Sequence, residues 1–461
     1  MKLKDREIIY FLGIGGIGMS ALARYFHASG REVMGYDRTC TPLTTELELA
    51  GIDIHYDDKV INIPQVVRLA PIDKVLVVIT PAIPADSAEW AWFRDHGYDI
   101  RKRSEVLGYI TSEQRTIAVA GTHGKTTTSS LIAHILTHSG HECNAFLGGI
   151  AVNYDSNLLL SHRAEWTVVE ADEYDRSFLT LSPRIAVISS MDADHLDIYG
   201  SPDHVRESFN LFADKLVEGG SLIVRHGLPL SDKPGRVQYS YSLNEDTDFR
   251  AINIRVADGH YHFDLHYRID GKDHELSNLT LGLPGRHNVE NAVAACAASL
   301  ISGVEPERLS PALASFRGVK RRFEYIIRRE NLVYIDDYAH HPTEIEATVR
   351  SVRELHPGRR ITGVFQPHLF TRTRDFGDDF AKSLRLLDDI ILLPIYPARE
   401  VPIPGIDSHW LLNKISGTHA VVVEKNELLG ELLQRQPEVL LTLGAGDIDE
   451  WVNPIADTLG R

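Results

Sequence analysis

Cysteine is scarce in this 461-residue chain: Cys40, Cys143 and Cys296 are odd in number and far apart. They offer neither a disulfide framework nor a thiolate metal site, and they suit a reducing, cytoplasmic setting. Positive charge is also short, with 48 Lys and Arg against 64 Asp and Glu for a net charge of −16. A nucleic-acid binder needs a basic face to displace counterions, and an anionic membrane attracts the same feature, so neither partner is expected. No run of about 20 apolar residues exists to insert into a bilayer. Lys2, Lys4 and Arg6 precede an apolar stretch as in a signal peptide, but Gly13, Gly15, Gly16 and Gly18 break it up. Short internal repeats and low-complexity segments are missing as well.

What remains is the composition of a globular enzyme, 43% hydrophobic and 24% charged, in a chain long enough for about three domains. Residues 1–110 alternate strand and helix and form one α/β domain. A second, with a mixed sheet, covers 111–317: its apolar strands are followed by a more polar alternating region around 249–281 that looks antiparallel. A third α/β domain covers 318–461, after the linker-like Ser315–Arg322.

Residues 116–128, Thr-Ile-Ala-Val-Ala-Gly-Thr-His-Gly-Lys-Thr-Thr-Thr, read as a buried strand, a glycine turn and a helix start. Gly121 and Gly124 let backbone N–H groups converge on phosphate, with Thr122 and His123 between them. Lys125 adds a point charge, Thr126 a hydroxyl for Mg²⁺ and Thr127 the next turn of a helix whose positive end faces the anion. This is a nucleoside triphosphate site. Its spacing departs from the general P-loop, because Val119 stands where the first glycine is expected.

Gly13-Ile-Gly-Gly-Ile-Gly18 fits G-x-G-x-x-G after a strand, with Asp37 ending the next strand where it could accept a ribose hydroxyl. This Rossmann-like fingerprint leaves NAD and other nucleotides equally open. Glu170 and its acidic neighbours Asp172, Glu173 and Asp175 follow the apolar strand Trp166–Val169, where carboxylates can hold Mg²⁺. His195 stands among Asp192, Asp194 and Asp197, a candidate ligand for a hard cation rather than zinc.

The motifs Gly121–Thr127, Glu170–Glu173, Asp194-His195, Pro284-Gly-Arg-His-Asn288 and Asp337-Tyr-Ala-His-His-Pro342 occur together and in this order. In them the chain resembles the Mur ligases of peptidoglycan synthesis. Gly13–Ser20, Phe365–Asp375, Leu393–Glu400 and Ile403–Ser408 make it similar to the alanine-adding branch. The resemblance implies a Rossmann-like N-terminal domain for UDP, a central P-loop-type ATPase and a Rossmann-like C-terminal domain for the amino acid. It implies ATP with two Mg²⁺ ions, Mn²⁺ being able to substitute, and UDP-N-acetylmuramate and L-alanine as substrates in a monomer or weak homodimer. The implied chemistry passes through an acyl phosphate and a tetrahedral intermediate.

Roles carry over by position. Lys125 would neutralise the phosphates, Thr126 and Glu170 would hold one metal, and His195 a second. Asn288 matches the adenine contact, with a helix N-cap as its other reading. Tyr338, His340 and His341 match the amino-acid end, where His340 would orient or deprotonate the amine. Arg372 and Arg374 would clamp a carboxylate or phosphate. Asp37, Thr80 and Arg103 are candidates for the UDP-sugar beside the glycines. Two departures stand out. Leu369 occupies a position where the branch commonly has arginine, and Phe209-Asn210 stands where sister ligases carry a carbamylated lysine. The alternatives are a ligase that recycles a ready-made tripeptide onto the same UDP-sugar, and an NAD-dependent oxidoreductase.

Overall fold

Ile8–Leu12 and Val75–Ile79 are five-residue apolar runs buried along their whole length, as strands covered on both faces must be. In the computed structural model, which describes residues 3–192, 199–231, 233–398, 400–417 and 419–460, they lie side by side. The strands β1 (Ile8–Leu12), β2 (Glu32–Tyr36), β3 (Asp53–His55), β4 (Val75–Ile79) and β5 (Asp99–Lys102) form a parallel sheet of order β3-β2-β1-β4-β5. The order reverses beside β1, so its C-terminal end opens a crevice at Gly13.

The middle of the chain contributes β6 (Arg115–Ala120), β7 (Cys143–Ala151), β8 (Ser156–Leu159), β9 (Trp166–Ala171), β10 (Ile185–Ile188), β11 (Ser221–Arg225) and β12 (Val237–Ser242). Their order is β12-β11-β10-β6-β9-β7-β8, parallel except at the β7–β8 edge. Next come β13 (Phe249–Ala257), which opens beside β12 with Phe249 opposite Tyr241, β14 (His260–Ile269) and β15 (Lys272–Leu281). Asp258-Gly259 and Asp270-Gly271 join these three, and all four residues have positive φ. Two-residue turns of that kind make antiparallel hairpins, so the expected polar antiparallel region is present.

The last sheet is β16 (Glu324–Arg328), β17 (Val333–Asp337), β18 (Ile361–Phe365), β19 (Asp389–Leu392), β20 (His419–Val422) and β21 (Val439–Leu443). Its order is β16-β17-β21-β18-β19-β20, parallel but for β16.

Three sheets are distributed over two compact units. One comprises Met1–Arg250, Leu265–Leu276 and Asn291–Ala312; the other comprises Ala251–Asp264, Ser277–Glu290 and Leu313–Arg461. The first sheet and strands β6–β12 of the second thus share the first unit, while β13–β15 are divided between the two. Inside it the helix Ile17–Ala28 packs on the β7–β8 edge, where buried Asn157 donates to the Ile17 carbonyl at 2.5 Å. The helix Arg103–Ser112 rests on the turn Tyr174–Thr180: Thr180 Oγ1 donates to the Ser104 carbonyl at 2.9 Å. A Cβ on Gly108 would approach the Thr180 carbonyl to 2.6 Å, so the two backbones touch. No helix among the described residues is long and apolar enough to cross a membrane.

Candidate active site

Strand β6 ends at Ala120 and turns through Gly121, whose φ of 145° favours glycine and whose Cβ, if present, would land on the Ser189 hydroxyl. Gly124, at φ 81°, starts the helix Lys125–His138, and its missing Cβ makes room for Asn291. The loop is stitched to the end of β10. Thr122 Oγ1 and the His123 amide both donate to Ser190 Oγ, at 2.9 and 2.7 Å, and Ser189 Oγ donates to the His123 carbonyl at 2.5 Å. The His123 ring lies 3.3 Å from the Asp192 carboxylate. Thr126 and Thr127 are buried in the first turn of the helix.

Lys125 Nζ donates to the Gly121 carbonyl at 2.6 Å and pairs with both carboxylate oxygens of Glu173, at 3.0 and 2.7 Å. Burial opposes its charge, but Glu173, Asp172 and Glu170 outweigh burial and hold the ammonium above its ordinary range. Burial raises the Glu173 carboxyl while Lys125 pulls it down, and the two short contacts identify an ion pair. Glu170, opposite Val119 in the β6–β9 ladder, accepts the Gly148 amide at 3.1 Å. A Cβ on Gly148 would sit on that carboxylate, so the glycine makes its cradle.

A cradled carboxylate with no lysine or arginine at ion-pair distance among the described residues fits a hard cation. Among the described residues no three His, Cys, Asp or Glu side chains gather into a metal cage. Mg²⁺ needs none where phosphate oxygens supply its other ligands. His195 lies outside the described residues. Phe209 packs edge-on against Phe178 in the core, and Asn210 bonds the Arg206 carbonyl and the Ser231 amide, both at 2.9 Å. That position contributes no carboxylate.

The N-terminal glycines face the remaining UDP-sugar candidates one by one. A Cβ on Gly13 would meet Thr80 at 2.6 Å, on Gly15 the Asp37 carboxylate at 3.0 Å, and on Gly18 the Arg103 guanidinium at 2.8 Å. Gly16 is the N-cap of the following helix. Asp37 accepts the Gly15 amide at 2.7 Å and the Thr39 amide at 3.1 Å, so it organises the loop itself. Arg103 also reaches Asp172, at 3.7 Å.

In the second unit Asp337, at the end of β17, orders the following turn by accepting the Ala339 and Phe323 amides at 2.8 and 3.0 Å. Burial raises its carboxyl to about 6, against the pull of Arg322. The Tyr338 ring lies against the Arg321 and Arg322 guanidinium groups and edge-on to His340. His340 Nδ1 lies 3.0 Å from the Tyr338 carbonyl and donates to it, which leaves Nε2 as the acceptor. Burial pushes His340 down to about 3, despite Glu344, so the ring is neutral.

His341 caps the helix Pro342–Leu355, with Nδ1 accepting the Thr343 amide at 3.4 Å and Glu344 closing the box. Arg372 is buried, 3.4 Å from His368 Nδ1, whereas Arg374 is half exposed and pairs with Asp375. Leu369 holds φ 71° ahead of the short helix Phe370–Asp375. Asn288 is the third residue of the helix Arg286–Ile301, not its N-cap; its Nδ2 donates to the Pro284 carbonyl at 2.6 Å. Ser189, Ser190 and Gly148 were not singled out in the sequence, and Glu173 and Asp337 stood in its motifs without the partners seen here. The two serines follow a buried strand, a signal that becomes usable only once β10 is known to lie beside β6.

Fold and site together define a three-domain α/β protein carrying two glycine-rich loops, each at the end of a buried parallel strand, and a cradled carboxylate on the strand next to the second. Three family profiles match in succession: "Mur ligase family, catalytic domain" at residues 8–115, "Mur ligase middle domain" at 119–299 and "Mur ligase, glutamate ligase domain" at 321–446. The chain belongs to the Mur ligase family. It is 49% identical to the UDP-N-acetylmuramate–L-alanine ligase of Parabacteroides distasonis, covering 100% of this chain and 98% of that one. It is 51% identical to the protein of that name from Flavobacterium psychrophilum, covering 98% of each. The solved UDP-N-acetylmuramate-alanine ligase of Thermotoga maritima superposes with a TM-score of 0.82 at 28% identity, over 97% of this chain and 98% of that one. A murein peptide ligase from Psychrobacter arcticus shares the fold at 0.71 and 23%, over 99% of each chain.

Proposed function

We propose that this protein joins L-alanine to the lactyl carboxylate of UDP-N-acetylmuramate at the expense of ATP, in peptidoglycan precursor synthesis. The observation that carries the proposal is the full-length identity of about one half to relatives of that name. A carboxylate resists amide formation because its charge repels nucleophiles and oxide is a poor leaving group; phosphorylation removes both obstacles. The carboxylate oxygen attacks the γ-phosphorus and ADP leaves. The alanine amine then adds to the acyl carbon, loses a proton and expels phosphate.

In this proposal the loop amides of 121–125 receive the phosphates, and Lys125 leaves Glu173 to neutralise the charge that passes to ADP. Thr126 and Glu170 would hold Mg²⁺, which when bound supplies positive charge at the transferring group. His340, kept neutral, accepts from the amine through Nε2 and orients it. Buried Arg372 meets the alanine carboxylate in the absence of an arginine at Leu369. Asn288 is assigned to adenine, and Thr80 and Arg103 to the UDP-sugar, with Asp37 holding their loop.

A phosphate-release assay with UDP-N-acetylmuramate, ATP and Mg²⁺ across free amino acids tests the proposal. Turnover with L-alanine is expected. Turnover with L-alanyl-γ-D-glutamyl-meso-diaminopimelate but not with alanine would establish the recycling ligase instead. Thermal stabilisation by NADH but not by UDP-N-acetylmuramate would establish an oxidoreductase.

A further inference from the structure

Two adjacent carboxylates on one turn hold two cations, one at each glycine-rich loop: Lys125 within the second loop and Arg103, on the helix Arg103–Ser112, against Gly18 of the first. Glu173 pairs with Lys125 of the ATP loop at 2.7 Å. Asp172 pairs at 3.7 Å with Arg103, whose guanidinium lies where a Cβ of Gly18 would be. Both cations are paired with protein acid, so a phosphate at either loop competes with this turn for its cation.

The turn is not free to yield at one end alone. The Glu173 carbonyl accepts the Tyr199 hydroxyl at 2.5 Å and the Arg176 amide at 2.9 Å. The Asp172 carbonyl accepts the Phe178 amide at 3.0 Å, and its carboxylate accepts the Tyr174 amide at 3.2 Å. The same turn carries Thr180, which bonds Ser104 next to Arg103 and touches Gly108. A change in the pairing of Glu173 therefore acts on the turn whose backbone supports Asp172. Tightly packed contacts of this kind pass displacement on rather than absorb it.

We infer that Asp172 and Glu173 are positioning residues that couple occupancy of the two nucleotide sites, through exchange of Lys125 and Arg103 between the turn and the two ligands. The inference rests on the proposed substrates, ATP and a UDP-sugar. Linkage requires the coupling to be reciprocal: each ligand changes the dissociation constant of the other by the same factor.

Isothermal titration of the whole protein with Mg²⁺ and a non-hydrolysable ATP analogue, alone and with saturating UDP-N-acetylmuramate, and the converse pair of titrations, measures that factor. We expect about 5-fold or more in the wild type, within the usual range of coupling, and a fall to near one in Asp172→Asn. The Asn variant leaves the analogue's own affinity within about 2-fold, because Asp172 is half exposed and does not bond Lys125. Glu173→Gln is expected to remove coupling as well, and circular dichroism checks that it folds. A wild-type factor of one, or a factor unchanged in Asp172→Asn, overturns the inference. Failure of UDP-N-acetylmuramate to bind at all overturns the proposed function instead.

Discussion

Lys125 is the residue on which the proposed chemistry turns, and its resting partners say how. An ammonium bound to the Gly121 carbonyl and to Glu173 is already charged and already aimed into the loop, so phosphate needs only to outcompete one carboxylate. Lys125→Ala removes the cation and leaves Glu173 buried without it. We expect phosphate release to fall by about 10²–10³-fold or more, the usual scale for deleting a single electrostatic donor at a transferring group. Binding of UDP-N-acetylmuramate, measured by titration, should change far less. A variant that retains turnover would remove Lys125 from the mechanism.

A second residue-scale expectation concerns Glu89, fully buried under the first sheet, where it accepts the Tyr10 hydroxyl at 2.6 Å and lies 3.2 Å from His55. Burial raises its carboxyl from 4.5 to about 7, with Asp58 adding to the effect and the Tyr10 bond opposing it. The folded value lies above the unfolded one, so the stabilising contribution is complete below the unfolded value and is lost as pH rises through about 7. At about 1.4 kcal/mol per pH unit the loss is roughly 3 kcal/mol. Glu89→Gln keeps an acceptor for Tyr10 without the titration. Denaturant unfolding at pH 5 and pH 8 should show the wild type losing stability relative to this variant; parallel behaviour would contradict the assignment.

At the scale of elements, the turn after β17 gives two adjacent histidines different tasks: His341 caps a helix, and His340 is the one proposed to meet the amine. His341 spends Nδ1 on the Thr343 amide, while Glu344 returns to the His340 and His341 amides. This is a capping box closed by a side chain outside the usual Ser, Thr, Asp and Asn set. His341→Ala should cost roughly 1 kcal/mol in urea unfolding, and His341→Asn, a better cap, should recover it. If Asn fails to rescue, the ring's edge-on contact with Phe376 at 5.0 Å carries the stability instead.

Legibility followed the same division between local and distant causes. Strands such as β1 and β4 were visible because an unbroken apolar run buried on both faces has few other readings. Strands β12 and β16 are mostly exposed or half-buried, with no run to mark them. The edge strand β8 and its neighbour β7, mixed in burial, were missed too. In the site, Gly121, Gly124 and Lys125 declare themselves by spacing within one turn. Glu173 is 48 residues from Lys125, and Ser190 67 from His123; their partnership depends on β9 and β10 flanking β6, which no short pattern encodes. Asn288 has the opposite lesson: its position suggested a cap, but the helix begins two residues earlier.

At the scale of the whole molecule, both glycine-rich loops belong to the unit containing Met1–Arg250, while Tyr338, His340 and Arg372 belong to the other. Each unit has its own buried cores: one cluster is shared by the first sheet and the second, another covers the other face of the first, and two lie on either face of the third. Chains built this way depart from a single all-or-none transition, and we expect calorimetry to resolve two. A ligand stabilises only the cooperative unit that binds it, by RT ln(1 + [L]/Kd), about 2.7 kcal/mol at a hundredfold excess over Kd. UDP-N-acetylmuramate, proposed to engage Gly13–Gly18, Thr80 and Arg103, should therefore raise one transition by a few degrees and leave the other in place. Arg103→Ala should abolish most of that displacement without altering the unmoved transition. If both transitions rise together in the wild type, the sugar nucleotide is held by residues of both units, and its site extends beyond the N-terminal crevice to which Thr80 and Arg103 assign it.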